Sequence, residues 1–257
     1  MKHKIFGIVI IVLLCIQFVF CGALFVRQFI DERRSEETFD NLSDLVSNNP
    51  TSQPEINPSP ESEESIEADP VFDKYHTIYE KNNDFIGWIS IPGTSIDHPV
   101  MQTPNDPNFY LKHSFDKTYS DYGVPYVDGK CSLGLSNNTV IYGHHMRNDS
   151  MFSDLCKYTD KSFWTEFPYV EFDTLNHTGT YRIIAVFKYD TNSETFKYNE
   201  CVDMNEEEFS QFMKEVHSRQ LYDTGWTAEY GDELLTLSTC EYTYKNGRFV
   251  VIAKKVV

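Results

Sequence analysis

Residues 5–26 form a run of 22 side chains without a charge, IFGIVIIVLLCIQFVFCGALFV. As a helix rising about 1.5 Å per residue, this run is roughly 33 Å long, which matches the hydrocarbon core of a bilayer. A cleaved secretory signal has a shorter apolar stretch, about 7–15 residues, and ends at a small-x-small site. No A-x-A pattern follows Val26, and Cys21 is preceded by the bulky Val19-Phe20. Residues 1–30 are therefore expected to be a cytoplasmic tip and a retained transmembrane helix. Lys2, His3 and Lys4 precede the run, while Arg27, Arg33 and Arg34 beyond it are interleaved with Asp31 and Glu32. The bias in Lys and Arg is slight, and a single N-terminal span places the N-terminus inside and residues 27–257 outside.

Over residues 31–70 the apolar periodicity disappears. The segments NNPTSQP and NPSPESEE combine Pro, Ser and Glu without a hydrophobic face. They read as a disordered, extended stalk. Within it Phe39, Leu42, Leu45 and Val46 have helical spacing, compatible with a short helix near 38–46.

From residue 71 the pattern becomes that of a folded domain, residues 71–257, and mostly of strands. Two short apolar runs at 87–92 and 95–101 flank Pro92-Gly93-Thr94, a hairpin signal. A strand at 139–142 ends at Gly143. Residues 180–189 alternate Tyr181, Ile183, Ala185 and Phe187 against Arg182, Ile184, Val186 and Lys188. Two further strands cover 234–239 and 249–257. One helix is clear, because Phe209, Phe212, Met213 and Val216 fall at i, i+3, i+4 and i+7. Glu206, Glu207 and Glu208 lie in its first turn, where the helix dipole favours acids, so a cap is preferred over a calcium site there. Helices are also expected at 73–81 and 150–158. The fold class is mainly β with peripheral helices, a barrel or a sandwich.

The 257 residues carry 22 Lys+Arg against 39 Asp+Glu, a formal net charge of −17. This excludes a generic nucleic-acid binder and broad docking onto anionic lipid. The charge is unevenly placed. Residues 1–30 are +3, residues 31–70 are −10, and the 187 residues that follow are also −10. A self-repelling acidic stalk would hold the domain away from an anionic membrane.

Of six Cys, Cys15 and Cys21 lie in the apolar run. Cys131, Cys156, Cys201 and Cys240 are widely spaced and make no C-x-x-C, and a pair among the first three stays open. There is no H-E-x-x-H, G-x-G-x-x-G or P-loop. His144 and His145 are adjacent, so on a strand they point to opposite faces, which disfavours a shared metal. The strand Leu235-Thr236-Leu237-Ser238-Thr239 delivers Cys240 at its end, where a thiol is free to react. His144 follows another strand end, and Arg248 opens the last strand. Such a Cys, His and Arg are the parts of a thiolate nucleophile, a proton carrier and an oxyanion donor.

In this order, T-L-S-T-C at 236–240, Arg248 on R-F-V-V-I-A, and V-I-Y-G-H-H-M at 140–146 followed by Met151-Phe152 resemble the signatures of the sortase family. The anchor, the spacer and the helices before the first strand and before the cysteine strand are similar to class B. The resemblance covers residues 71–257 and is weakest at 104–111, which should shape the pocket for the substrate's first residues. It implies an eight-stranded sortase-type β-barrel and an extracellular transpeptidase of Gram-positive bacteria. Cys240 would attack the Thr carbonyl of an LPxTG- or NPxTx-like sorting signal and form a thioester. An amine of a peptidoglycan precursor, or a pilin lysine, would then resolve it. His144 would serve as general acid and base, and Arg248 with the Glu241 backbone N–H would stabilise the oxyanion. Tyr142, Ser238 and Thr239 match groove-lining positions, and His145 is not the catalytic histidine. No cofactor or metal is implied. Two other readings of the residues are a cysteine peptidase with water as acceptor, and an anchored binding module in which Cys240 is inert.

Overall fold

The computed structural model describes residues 2–48, 70–192 and 195–257. Its strands are β1 (Phe85–Ser90), β2 (Asp97–Met101), β3 (Tyr126–Val127), β4 (Asn138–Tyr142), β5 (Tyr169–Thr174), β6 (Thr180–Asp190), β7 (Leu234–Glu241) and β8 (Gly247–Lys255). They close into a barrel in the order β1-β2-β3-β4-β7-β8-β6-β5. Most neighbours are antiparallel, but β2 runs parallel to β3 and β4 runs parallel to β7, with Tyr142 opposite Ser238. The strand alternation places Ile89, Val100, Val140, Leu235, Leu237 and Val251 in the barrel interior.

Strand β6 departs from the simple alternation. Its register with β8 slips between Ile183 and Ala185, a β-bulge that reverses the phase. Tyr181, Ile183 and Val186 pack in the interior, whereas Ile184, Ala185, Phe187 and Tyr189 face outward. That outward face is covered by α4 (Glu206–Arg219) through Phe209, Phe212, Met213 and Val216. Burial of each of these side chains contributes about 1.5–3 kcal/mol. The acids of the α4 first turn act as a cap. Asn205 accepts from the Glu208 N–H at 3.0 Å, and the Glu208 carboxylate accepts from the Asn205 N–H at 2.9 Å.

Two strands are not evident from the apolar runs. β3 is only two residues long, and β5 is a short strand between β1 and β6 whose Val170 and Phe172 alternate with the exposed Tyr169 and Glu171. The helix expected at 150–158 is instead a 3-10 turn at Ser153–Thr159, after which α3 (Lys161–Glu166) starts on an Asp160 cap. Asp149 and Met151 hold positive φ, 59° and 61°, which breaks an α-helix before it starts.

The largest difference lies in the expected stalk. Helix α1 runs from Lys2 to Asn48, so residues 31–48 are helical rather than extended. Residues 49–69 lie outside the described residues. The second half of α1 is docked on the barrel and on α2 (Pro70–Lys81). Phe39 and Leu42 are buried with Tyr75, Ile78, Trp88 and Met101. Polar contacts flank them: Arg34 pairs with Asp116 at 2.5 Å, the Ser43 hydroxyl donates to Asp97 at 3.1 Å, and the Asn148 amide donates to Glu32 at 2.7 Å. The helical spacing of Phe39, Leu42, Leu45 and Val46 outweighs the local acid excess, because an apolar face with a partner surface offsets weak, screened repulsion.

His98 on β2 is buried beneath this helix, edge-on to Phe39 with ring centroids 5.1 Å apart. Burial lowers its pKa to about 4, against the pull of Asp97. Between pH 6.5 and that value the unfolded chain holds a proton the native ring refuses. Stability is therefore complete above pH 6.5 and is lost as pH falls, by roughly 3 kcal/mol at the lower end. Thermal melts of wild type should decline across pH 6.5 to 4, and those of His98→Leu should decline less. Parallel curves would remove His98 from the account.

Candidate active site

β7 and β8 form a hairpin in which Cys240 and Arg248 stand directly opposite each other. Side chains on alternate positions share a face. Cys240 therefore shares the outward face with Leu234 and Ser238, and Arg248 shares it with Val250 and Ile252. The Cys240 thiol and the Arg248 guanidinium thus lie outside the barrel, beyond the edge of the surface that α4 covers. A groove of about 480 Å³ opens there, lined by Cys240, Arg248, His144, Tyr142, Ser238 and Thr239. The strand ends carrying the three candidate catalytic residues meet in one place.

His144 reaches the groove because β4 stops at Tyr142. The Gly143 N–H still donates to the Ser238 carbonyl at 3.1 Å, and the chain then turns away. A Cβ on Gly143 would come within 2.5 Å of the buried Phe152 ring, so no larger residue fits this turn. The His144 ring lies 2.7 Å, through Nε2, from the Leu111 carbonyl. A carbonyl only accepts, so Nε2 carries the hydrogen and Nδ1 is the nitrogen that gains or loses a proton. Burial lowers the His144 pKa below the ordinary histidine range, partly offset by the Leu111 carbonyl.

Ser238 and Thr239 shape the floor rather than offering free hydroxyls. Both are buried. The Thr239 hydroxyl donates to the Gly143 carbonyl at 2.8 Å, and the Ser238 hydroxyl is 2.8 Å from that of Tyr198. Tyr142 donates its hydroxyl to Asp128 at 2.8 Å, and burial followed by the Asp128 charge pushes its pKa up. Glu241 differs from the others: its side chain does not line the groove. Its carboxylate accepts from Lys188 Nζ at 3.0 Å, from the Thr243 N–H at 2.9 Å and from the Thr243 hydroxyl. Burial raises its pKa, but the Thr243 and Lys188 contacts outweigh this and leave it below the usual carboxylate range.

Several groove residues carry no sequence signal. Tyr198 comes from a short 3-10 turn, Asp128 from the loop after β3, and the Leu111 carbonyl from another 3-10 turn. Burial pushes the Tyr198 hydroxyl up to about 12, so it stays protonated against Ser238. All six cysteines are free. The Cys131 thiol points to the Asn138 carbonyl and the Cys201 thiol to the Lys197 carbonyl. Burial pushes the Cys156 thiol to about 12, which leaves it a poor nucleophile.

The arrangement suits acyl transfer through a thioester: an accessible Cys, a His with one fixed and one free nitrogen, and an Arg beside the Cys. A family model described as a sortase domain matches residues 89–256. The chain is 28% identical to sortase B of Staphylococcus aureus (strain NCTC 8325 / PS 47) over 261 residues, covering 99% of this chain and 98% of that one. It is 32% identical to sortase B of Listeria monocytogenes serovar 1/2a over 189 residues, 72% of this chain and 75% of that one. A crystal structure of Clostridium perfringens sortase B is similar, with a TM-score of 0.64 at 32% identity, covering 71% of this chain and 99% of that one.

Proposed function

This chain belongs to the sortase family, in class B, and from that premise we propose how its residues divide the work of a cysteine transpeptidase. The enzyme cleaves a sorting signal and transfers the substrate protein to an acceptor. Its N-terminal apolar helix, the one of such length among the described residues, crosses the membrane and leaves the barrel on the extracellular side.

The observation that carries the division of labour is the Cys240–Arg248 cross-strand pair, with His144 on the same groove. His144 Nδ1 takes the Cys240 thiol proton, and the resulting thiolate attacks the Thr carbonyl carbon of an LPxTG- or NPxTx-like signal. Charge moves to the carbonyl oxygen, where the Arg248 guanidinium and the Glu241 backbone N–H stabilise it. As the C–N bond breaks, His144 Nδ1–H protonates the leaving amine and a thioester remains. The acceptor amine then enters, gives its proton to neutral Nδ1, and the thiolate leaves. Tyr142, Ser238 and Thr239 form the wall and floor that orient the signal. The acceptor is a peptidoglycan-precursor amine or a pilin lysine.

Intact-mass spectrometry with LPxTG- and NPxTx-like peptides tests this reading. A thioester adduct on Cys240 and an amide product on adding a glycine peptide or a lysine peptide are expected, and the preferred amine distinguishes cell-wall attachment from pilus assembly. Acid product alone, whichever amine is present, would make the protein a peptidase. An absence of any adduct would make it a binding module.

A further inference from the structure

We propose that His145 is a positioning residue whose ring finishes the hydrogen-bond ladder between β4 and β7 and so fixes the separation of His144 and Cys240. The inference rests on reading those two as acid/base and nucleophile. It starts from the parallel β4–β7 ladder. In a parallel pair the donors on one strand recur every second residue. The last backbone contact is the Gly143 N–H onto the Ser238 carbonyl. One step further, the His145 N–H would meet the Cys240 carbonyl. The chain has already turned away there, and the backbone of His145 pairs with Met151 instead.

Side chains take over the missing steps. The Thr239 hydroxyl donates to the Gly143 carbonyl at 2.8 Å. The His145 ring, through Nδ1, lies 3.0 Å from the Cys240 carbonyl. Because a carbonyl only accepts, Nδ1 is the protonated nitrogen. A second contact returns in the opposite direction, since the Tyr242 hydroxyl donates to the His145 carbonyl at 2.9 Å. The two rings also touch, with centroids 5.0 Å apart. His145 and Tyr242 are thus a reciprocal clasp between the segment after β4 and the end of β7. One side of the clasp lies next to His144 in the chain, and the other holds Cys240 by its own carbonyl.

The arrangement resolves a conflict. His144 must leave the sheet for its ring to reach the groove, yet leaving the sheet releases its segment from the strand that carries Cys240. A side-chain N–H in place of a backbone N–H lets the backbone go while the tie is kept. Cys156 strengthens the same anchor, because its thiol lies 3.4 Å from His145 Nδ1 and 3.9 Å from the Cys240 carbonyl.

The test compares His145→Ala, His145→Asn and His145→Gln in the full chain. The side-chain amide nitrogen of Asn reaches the place of Nδ1, whereas that of Gln reaches the place of Nε2. Alanine and glutamine should lower kcat for transpeptidation about tenfold to a hundredfold, the penalty of roughly 1 Å of misplacement, with the peptide KM within about twofold. Asparagine should recover most of kcat. Tyr242→Phe, which keeps the ring and removes only the hydroxyl, should give a smaller loss of kcat in a protein that melts like wild type. Equal kcat in all three His145 variants would overturn the proposal, as would a loss confined to KM or a Tyr242→Phe enzyme as fast as wild type. Turnover that survives Cys240→Ala would overturn the underlying assignment instead.

Discussion

Cys240→Ala protein is expected to bind sorting-signal peptide and to turn none of it over, with activity below about 10⁻⁴ of wild type. The size of the effect follows from the chemistry. The thioester is a covalent bond to Cys240 Sγ, and no other thiol can form it. Cys131 is buried within the barrel cluster, Cys156 is pushed to about 12 by burial, and Cys201, whose thiol points to the Lys197 carbonyl, is not among the groove-lining residues. The fold should not suffer. Cys240 is half-buried at the outer end of β7, the contacts to its carbonyl do not involve its own side chain, and alanine keeps the strand. Thermal melting should stay within about 1 kcal/mol of wild type. Peptide cleavage by folded Cys240→Ala protein would remove the thioester from the mechanism.

His144→Ala should lose about 10²–10⁴-fold in turnover, and the pH profile should show why. The Leu111 carbonyl holds Nε2–H, so only Nδ1 exchanges protons. Resolution of a preformed thioester needs Nδ1 unprotonated to receive the acceptor's proton. Burial lowers the His144 pKa, so Nδ1 stays neutral below pH 6.5. As pH falls through the lowered value, His144 becomes charged and the rate drops. Beyond the limb that the acceptor amine's own protonation imposes, a second acid limb of thioester resolution should therefore lie below pH 6.5 in wild type and vanish in His144→Ala. Rapid-quench measurement of amide formation from trapped thioester checks both. Identical profiles in wild type and variant, with only the limb of the acceptor amine in each, would exclude His144 as the base.

Much of the barrel was legible because its strands satisfy a two-residue rhythm. Residues 180–189 alternate clearly, and the sequence places a strand there. The bulge at Ile183 and Ala185 is invisible at that level, since Ile184, Ala185 and Val186 are apolar on either phase. Only the partner strand β8 and helix α4 determine which of them face in. Residues 31–48 show the opposite failure. Their acids dominate the composition, and the four apolar side chains with helical spacing point only to a short helix at 38–46. They suffice once α2 and the barrel supply a surface for Phe39 and Leu42.

The candidate site divides in the same manner. Cys240, His144 and Arg248 could be picked out because reactive residue types stand at strand ends, and their order along the chain carries the family signature. That Cys240 and Arg248 share a face is nearly legible too, since a hairpin of even offset pairs them. Tyr198, Asp128 and the Leu111 carbonyl could not be found. They arrive on irregular segments whose course no periodicity encodes, and one of them is a backbone atom that every residue possesses. His145 shows the limit most clearly. Next to His144 it reads as a bystander, because in the family motif the His directly after Gly carries the chemistry.

By itself the sequence determined the anchor, the strands and the chemistry available at their ends, since these depend on local hydrophobicity and residue type. Tertiary structure decided which face of β6 is the core, that residues 31–48 are docked helix, and that His145 grips the Cys240 carbonyl. Each of those outcomes depends on a partner distant in sequence, where burial and hydrogen-bond geometry take effect only after the barrel has closed.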